Sequence, residues 1–170
     1  MPPTRIPTKE DFASILPSHP TYQGRRQQWQ QQQQQQQQQG QGQGGAGSQP
    51  DEPIALVYPD PPESTTAILL LFHGLGDSEA AFAAFARALA LPGVLAVAVR
   101  GTAPLPPALL PRPDRPAYHW GDDLALSARD PDSALDPDPG FDRARAWVLD
   151  RLVRDLLLRR CGWTPADLLL

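Results

Sequence analysis

Six consecutive apolar residues, Ala67-Ile68-Leu69-Leu70-Leu71-Phe72, run without a break into His73-Gly74-Leu75-Gly76-Asp77. A strand that is apolar on both faces must be covered on both, the condition of a buried strand in a parallel sheet. The glycine pair that ends it demands a sharp turn, and a helix pattern follows at once. Asp77 or Ser78 suits its N-cap, Glu79 its first turn, and Phe82, Phe85 and Leu89 recur on one face. Pro92-Gly93 stops that helix, and Val94 to Val99 reads as a second buried strand.

The same alternation extends both ways. Ile54 to Tyr58 reads as an earlier strand. A long proline-rich loop, from Thr102 to about Asp138, precedes a helix with Phe141, Ala144, Val148, Leu152 and Leu156 on one stripe. Gly162 suits the C′ position of that helix, and Asp167 to Leu170 opens another strand. Strands separated by helices predict βαβ units, hence an α/β fold with a parallel sheet.

Residues 1–52 follow different rules. They hold Gln27 to Gln39, broken only by Trp29, and then a glycine-rich stretch. A tract this polar cannot bury enough apolar surface to offset its ordering entropy, so 1–52 is expected to be disordered, with at most a short docking turn capped by Thr8 over Pro7–Pro17. The folded unit is therefore expected to be 53–170. The formal charge of −4 resides in that unit, with 11 basic against 15 acidic side chains. With no basic stripe, nucleic acid is not an expected partner. Cys161 is the single cysteine, which excludes a disulfide framework and a cysteine-based metal site. The first residues carry no apolar signal core, and the longest apolar run is too short to span a bilayer, so a cytoplasmic location is expected.

The chemistry concentrates at His73–Asp77. Ligands of open α/β sheets bind at the carboxyl ends of the strands, and an N–H left free in this turn would stabilise a developing oxyanion, a donor worth roughly 2.7–4 kcal/mol. A dinucleotide fingerprint fits badly, because Glu79 occupies the third glycine position and Asp77 and Glu79 would meet a pyrophosphate with two carboxylates. A phosphate loop lacks its Gly-Lys-Ser/Thr. On these residues alone, a turn that is only structural stays open.

The run Leu70-Leu71-Phe72-His73-Gly74-Leu75-Gly76-Asp77 resembles the oxyanion-loop segment of the acyl-protein thioesterase, phospholipase and carboxylesterase family of α/β-hydrolases. The similarity continues through Arg100-Gly101-Thr102-Ala103-Pro104, Trp120-Gly121-Asp122 and Gly162-Trp163-Thr164-Pro165, and covers roughly residues 54–170. It implies a cofactor-free hydrolase of acyl esters or thioesters. The Leu75 backbone N–H would be one oxyanion donor, His73, Gly74, Gly76 and Asp77 would support the turn, and Trp120 would lie beside the acyl-binding groove.

The resemblance also implies a nucleophile on a Gly-x-Ser-x-Gly elbow after the strand that begins at Asp167. None of Ser14, Ser18, Ser48, Ser64, Ser78, Ser127 and Ser133 sits in that frame, so the chain is expected to be the N-terminal half of an α/β-hydrolase, inactive by itself and marginally stable, with an unpaired strand edge. A local substitute built from His119, Asp122 or Asp123 and Ser127 lacks a rigid scaffold. With His19 in the glutamine-rich arm, no metal site is expected, and Cys161 reads as structural. The alternative is a non-catalytic interaction protein that self-associates through the glutamine tract or the sheet edge.

Overall fold

A computed structural model of the chain describes residues 4–22, 52–105, 109–110, 115–122 and 140–170. The glutamine tract, Asp123 and Ser127 lie outside the described residues. The described residues form an α/β unit around a mainly parallel four-stranded sheet. In chain order its strands are β1 (Ile54–Val57), β2 (Ala67–Phe72), β3 (Val94–Val99) and, at the end, Leu168–Leu169; a second, two-stranded ladder pairs β4 (Ala103–Pro104) with β5 (Tyr118–His119), so Leu168–Leu169 is β6. The spatial order is β1-β3-β2-β6. β2 runs parallel to β3 with Ala67 opposite Val94, and parallel to β6 with Ile68 opposite Leu168. β1 is the antiparallel edge, with Ile54 opposite Val99.

The strand period of two divides the sheet between two layers. Leu95, Val97 and Val99 of β3, with Ile68 and Leu70 of β2, face a cluster that contains Trp147, Leu152, Leu156 and Leu157. The other face carries Ala96 and Ala98 of β3 beside Leu69 and Leu71 of β2. Helix α2 (Glu79–Leu89) packs against β1, β2 and β3 and stands on Ala83 and Ala86, both buried, whereas Phe85 and Leu89 stay more than 40 % exposed. Of the expected stripe of Phe82, Phe85 and Leu89, only Phe82 is partly covered. Alanines on the helix opposite alanines on β3 allow close approach, which turns the bulky residues outward.

The last helix, α3, starts as an α-helix over Asp142–Arg145 and continues with i→i+5 hydrogen bonds as a π-helix over Ala146–Arg160. The wider turn makes its buried face recur every four or five residues: Trp147, Leu152, Leu156 and Leu157, then Cys161. Ala144, Leu152 and Leu156 are buried as expected from the stripe, but Phe141 is exposed and Val148 only partly covered. Gly162 closes the helix at φ 76°, in the C′ position expected of it.

Residues 4–22 do not behave as a disordered arm. The expected Thr8 cap forms a reciprocal box with Asp11 at the start of α1 (Lys9–Ala13), which then delivers Phe12, Ile15 and Leu16 into the core cluster. Each such burial contributes roughly 1.5–3 kcal/mol. Backbone bonds fix the rest: Arg5 N–H donates to Cys161 O at 2.9 Å, Trp163 Nε1–H to Arg5 O at 2.9 Å, and the Tyr58 hydroxyl to Pro7 O at 2.9 Å. The composition of 1–52 as a whole concealed three apolar residues with helical spacing. Among the described residues, no helix is long and apolar enough to cross a membrane.

Asp122 ties the long loop to α3. Its carboxylate accepts from Asp142 N–H at 2.7 Å, Arg143 N–H at 3.1 Å and Arg143 Nε–H at 3.0 Å, so a residue distant in sequence caps the helix. Burial alone would raise its pKa, but the bonds from Arg143 and from the helix N–H groups outweigh that and hold it below the usual carboxylate value. Asp122→Ala is expected to cost about 0.5–2 kcal/mol, the range of a lost N-cap. A folded pKa below the unfolded one stabilises above the unfolded value and is lost as pH falls through the folded value. The deficit measured by urea melts of wild type and variant should therefore be full at pH 7 and shrink toward pH 2.

Candidate functional site

The turn that follows β2 is a four-residue reversal over Gly74–Asp77, closed by Asp77 N–H donating to Gly74 O at 3.3 Å. Gly76 lies at φ 84°, the third position, which a type II turn reserves for glycine. Gly74 is different. Its φ is ordinary and, among the described residues, a Cβ placed there would meet nothing within 4 Å. Only one of the two glycines is therefore required by backbone geometry, and Gly74 faces open space.

The β5 segment anchors the turn from the side. Gly76 N–H donates to Tyr118 O at 3.0 Å and Tyr118 N–H to Asp77 O at 3.1 Å, an antiparallel bridge between Asp77 and Tyr118. Of the N–H groups at positions 75, 76 and 77, two are thus consumed by the scaffold. The third, on Leu75, meets no acceptor among the described residues, and its side chain is 55 % exposed.

His73 is buried beneath the turn. Gly101 N–H donates to its Nε2 at 2.8 Å, and since a backbone amide can only donate, Nε2 is the unprotonated nitrogen. Nδ1 then carries the hydrogen and donates to Gly74 O at 2.7 Å. Both ring nitrogens are committed to holding backbone. Trp120 completes the support. Its indole Nε1–H donates to His73 O at 2.9 Å, and its ring lies 5.4 Å from the rings of both Phe72 and His73. The side chain expected beside an acyl groove is placed against the end of β2 and the turn that follows it. Asp77, exposed, accepts from Ser78 N–H at 2.8 Å; Ser78 is the N-cap of α2 but makes no side-chain cap bond.

The sequence pattern assigns Arg100 no role and Glu79 only a place in a helix's first turn. Arg100 closes β3, is fully buried, and grips Glu79 through two bonds, Nε–H to Oε2 at 2.9 Å and a second from Nη2 to Oε1. Its guanidinium lies 4.6 Å above the Tyr118 ring. The start of α2, the end of β3 and the strand that anchors the turn therefore meet on one side chain. The legible signal was a charged residue closing an otherwise apolar strand, matched by an acid in the preceding helix's first turn.

A cavity of about 580 Å³ opens on the flank of the turn, with Gly76, Asp77, Ala80, Arg115 and Tyr118 among its walls. Neither Gly74 nor Leu75 lines it. His119 is buried, its Nδ1 has no partner among the described residues, and burial, with Arg143 nearby, lowers its pKa. Asp122, expected as its possible partner, is committed to α3 instead. Among the described residues, no three His, Cys, Asp or Glu side chains gather as a metal would require. His19 is not in a disordered arm: it is fully buried. No protein-family model matches the chain, and neither a curated protein nor a solved structure does.

The two glycines closest to His73 should respond oppositely to a methyl group. At Gly101 a Cβ would sit 2.5 Å from the His119 carbonyl oxygen and 2.8 Å from its carbon, backbone atoms that cannot swing aside. Gly101→Ala is expected to lose about 1–3 kcal/mol, as overpacking does, and Gly74→Ala to stay within about 0.5 kcal/mol of wild type. Urea melts followed by tryptophan fluorescence check both; equal losses would refute the assignment of the open face to Gly74.

Proposed function

We propose that residues 53–170 form the oxyanion-side half of a serine hydrolase of acyl esters or thioesters, an α/β-hydrolase sheet whose nucleophile strand begins at β6. The observation that carries this reading is the Leu75 N–H. It is the amide left over at a turn whose other two are used, it sits at the carboxyl end of a central parallel strand, and the open space over Gly74 would admit a substrate oxygen. Donors fixed in advance at the site of developing charge are the largest single contribution in many enzymes.

The register supports the same reading. β6 runs parallel to β2 with Leu169 opposite Leu69. Three residues further along that register is the level of Phe72, so an elbow after β6 would emerge beside His73–Asp77. In this reading Trp120 keeps the His73 carbonyl turned away from the substrate side, His73 is a positioning residue, and the nucleophile and its base come from residues beyond Leu170. A reducing, cytosolic setting fits the single buried cysteine.

Hydrolysis of p-nitrophenyl acetate and of an acyl thioester tests the proposal on two forms: the 170-residue chain, and the product of the reading frame that continues past Leu170. The first should be inert and the second active. Leu75→Pro in the active form keeps the turn, since proline suits the second position of a type II turn, but deletes the N–H. It should lower kcat roughly 10²–10³-fold with little change in KM. An inert continued form with an intact Gly-x-Ser-x-Gly, or an unaltered kcat in the variant, would sink the reading.

The exposed Phe85, Leu89 and Leu91 favour a second reading, a non-catalytic interaction protein. It is distinguished by a continued frame that encodes no such elbow.

A further inference from the structure

One peptide group joins the N-terminal segment to the candidate turn. The carbonyl of Arg100 accepts from His19 Nε2–H at 3.2 Å, and the N–H of the same Arg100–Gly101 peptide donates to His73 Nε2 at 2.8 Å. His73 Nδ1–H then donates to Gly74 O. Four groups in a row, His19, the peptide, His73 and Gly74, therefore form a continuous hydrogen-bond chain in which each bond polarises the next.

The chain permits a single protonation pattern. His19 Nδ1 accepts from Thr21 N–H at 3.3 Å and from the Thr21 hydroxyl at 2.9 Å. A proton on Nδ1 would set it donor against donor with an amide that cannot reverse. Among the described residues no carboxylate pairs with the ring to offset the new charge. Trp147 of α3 presents its ring edge to His19, centroids 4.5 Å apart, and from β3 the neighbouring charge is the cationic Arg100, whose carboxylate partner Glu79 is already taken.

We infer that residues 4–22 act as an acid-released latch on the His73 turn: His19 in its Nε2–H form clasps the Arg100–Gly101 peptide, and a proton on its Nδ1 frees the segment and loosens the hydrogen bond that fixes His73. This holds whatever reaction the turn serves. Burial, with Arg100 beside the ring, lowers the His19 pKa from 6.5 to about 4. A depressed folded value favours docking above pH 6.5 and withdraws that support as pH falls toward 4. At pH 4 protonation weighs against the docked form by roughly 160-fold.

Two native probes read the latch in the full chain. Cys161 is buried under the segment and its carbonyl holds Arg5 N–H, so its labelling by 4,4′-dithiodipyridine, corrected against a free thiol, reports undocking. Between pH 7.5 and 4.5 the rate should rise roughly 70-fold with the far-ultraviolet circular dichroism unchanged. His19→Gln, which keeps an amide donor for the Arg100 carbonyl but does not titrate, should hold the rate within about threefold. The chain has three histidines, so ¹⁵N-histidine spectra resolve the second probe. The His73 signals should show the Nδ1–H tautomer at pH 7.5 and a tautomer mixture in His19→Ala at the same pH. Labelling of His19→Gln that rises in step with wild type, circular dichroism lost together with protection of Cys161, or a His73 tautomer unmoved in His19→Ala would each overturn the latch. Should His19→Ala fail to fold, the wild-type and His19→Gln titrations decide it.

Discussion

The arrangement around the candidate site depends on a buried ion pair. Arg100 and Glu79 are both removed from water, and the desolvation of two charges is repaid only when the geometry is close and the remaining donors find acceptors. Here the pairing is bidentate, a further guanidinium N–H reaches the Glu52 carbonyl at 3.3 Å, and the cation lies over the Tyr118 ring. Removing one partner of such a pair costs about 3–5 kcal/mol, because the other is stranded without solvent. The consequence for the fold is geometric. α2 is a helix of eleven residues that stands on alanines, which gives it a close but featureless contact with the sheet. The ion pair supplies the register that alanine packing cannot, and so fixes where α2 begins and where the turn before it must end.

From that point the backbone around Arg100 distributes constraint. Its N–H donates to Pro53 O, its carbonyl receives His19, and the next amide holds His73. Gly101 is glycine because the His119 backbone passes too close for a Cβ, and that closeness is what lets β5 reach back to Gly76 and Asp77. The turn is thus held from below by a histidine and from the side by a strand. Its own sequence needs little beyond one positive-φ glycine.

This explains which parts were legible in the sequence. β2, β3 and the start of β6 announced themselves through apolar runs and glycine or proline punctuation, because burial on both faces leaves no other composition. The turn was legible through Gly76, whose φ of 84° only glycine adopts cheaply. The inward faces of the helices were less legible. On α2 the pattern of large residues pointed outward, since contact distance to Ala96 and Ala98, a tertiary property, decided which stripe faced the sheet. On α3 the i→i+5 ladder added Trp147 and Leu157 to the expected Ala144, Leu152 and Leu156 and left Phe141 outside. The arm was misread because composition averaged over 52 residues hides Phe12, Ile15 and Leu16, whereas the Thr8 cap, a local signal, was read correctly.

Leu75 occupies the place where these constraints stop. A folded chain normally assigns its backbone amides to carbonyls, side chains or water, and the neighbouring amides at 76 and 77 follow that rule within the protein. The bridge to β5 begins at Gly76, the Leu75 side chain is more than half exposed, and the residue before it carries no Cβ. Two independent economies, a withheld amide and a withheld side chain, fall on adjacent residues at the carboxyl end of a central strand. In a β-turn the amide of the second residue has no partner within the turn, so it is the coincidence of that amide with an uncrowded glycine, at the carboxyl end of a central strand, that makes this the candidate site.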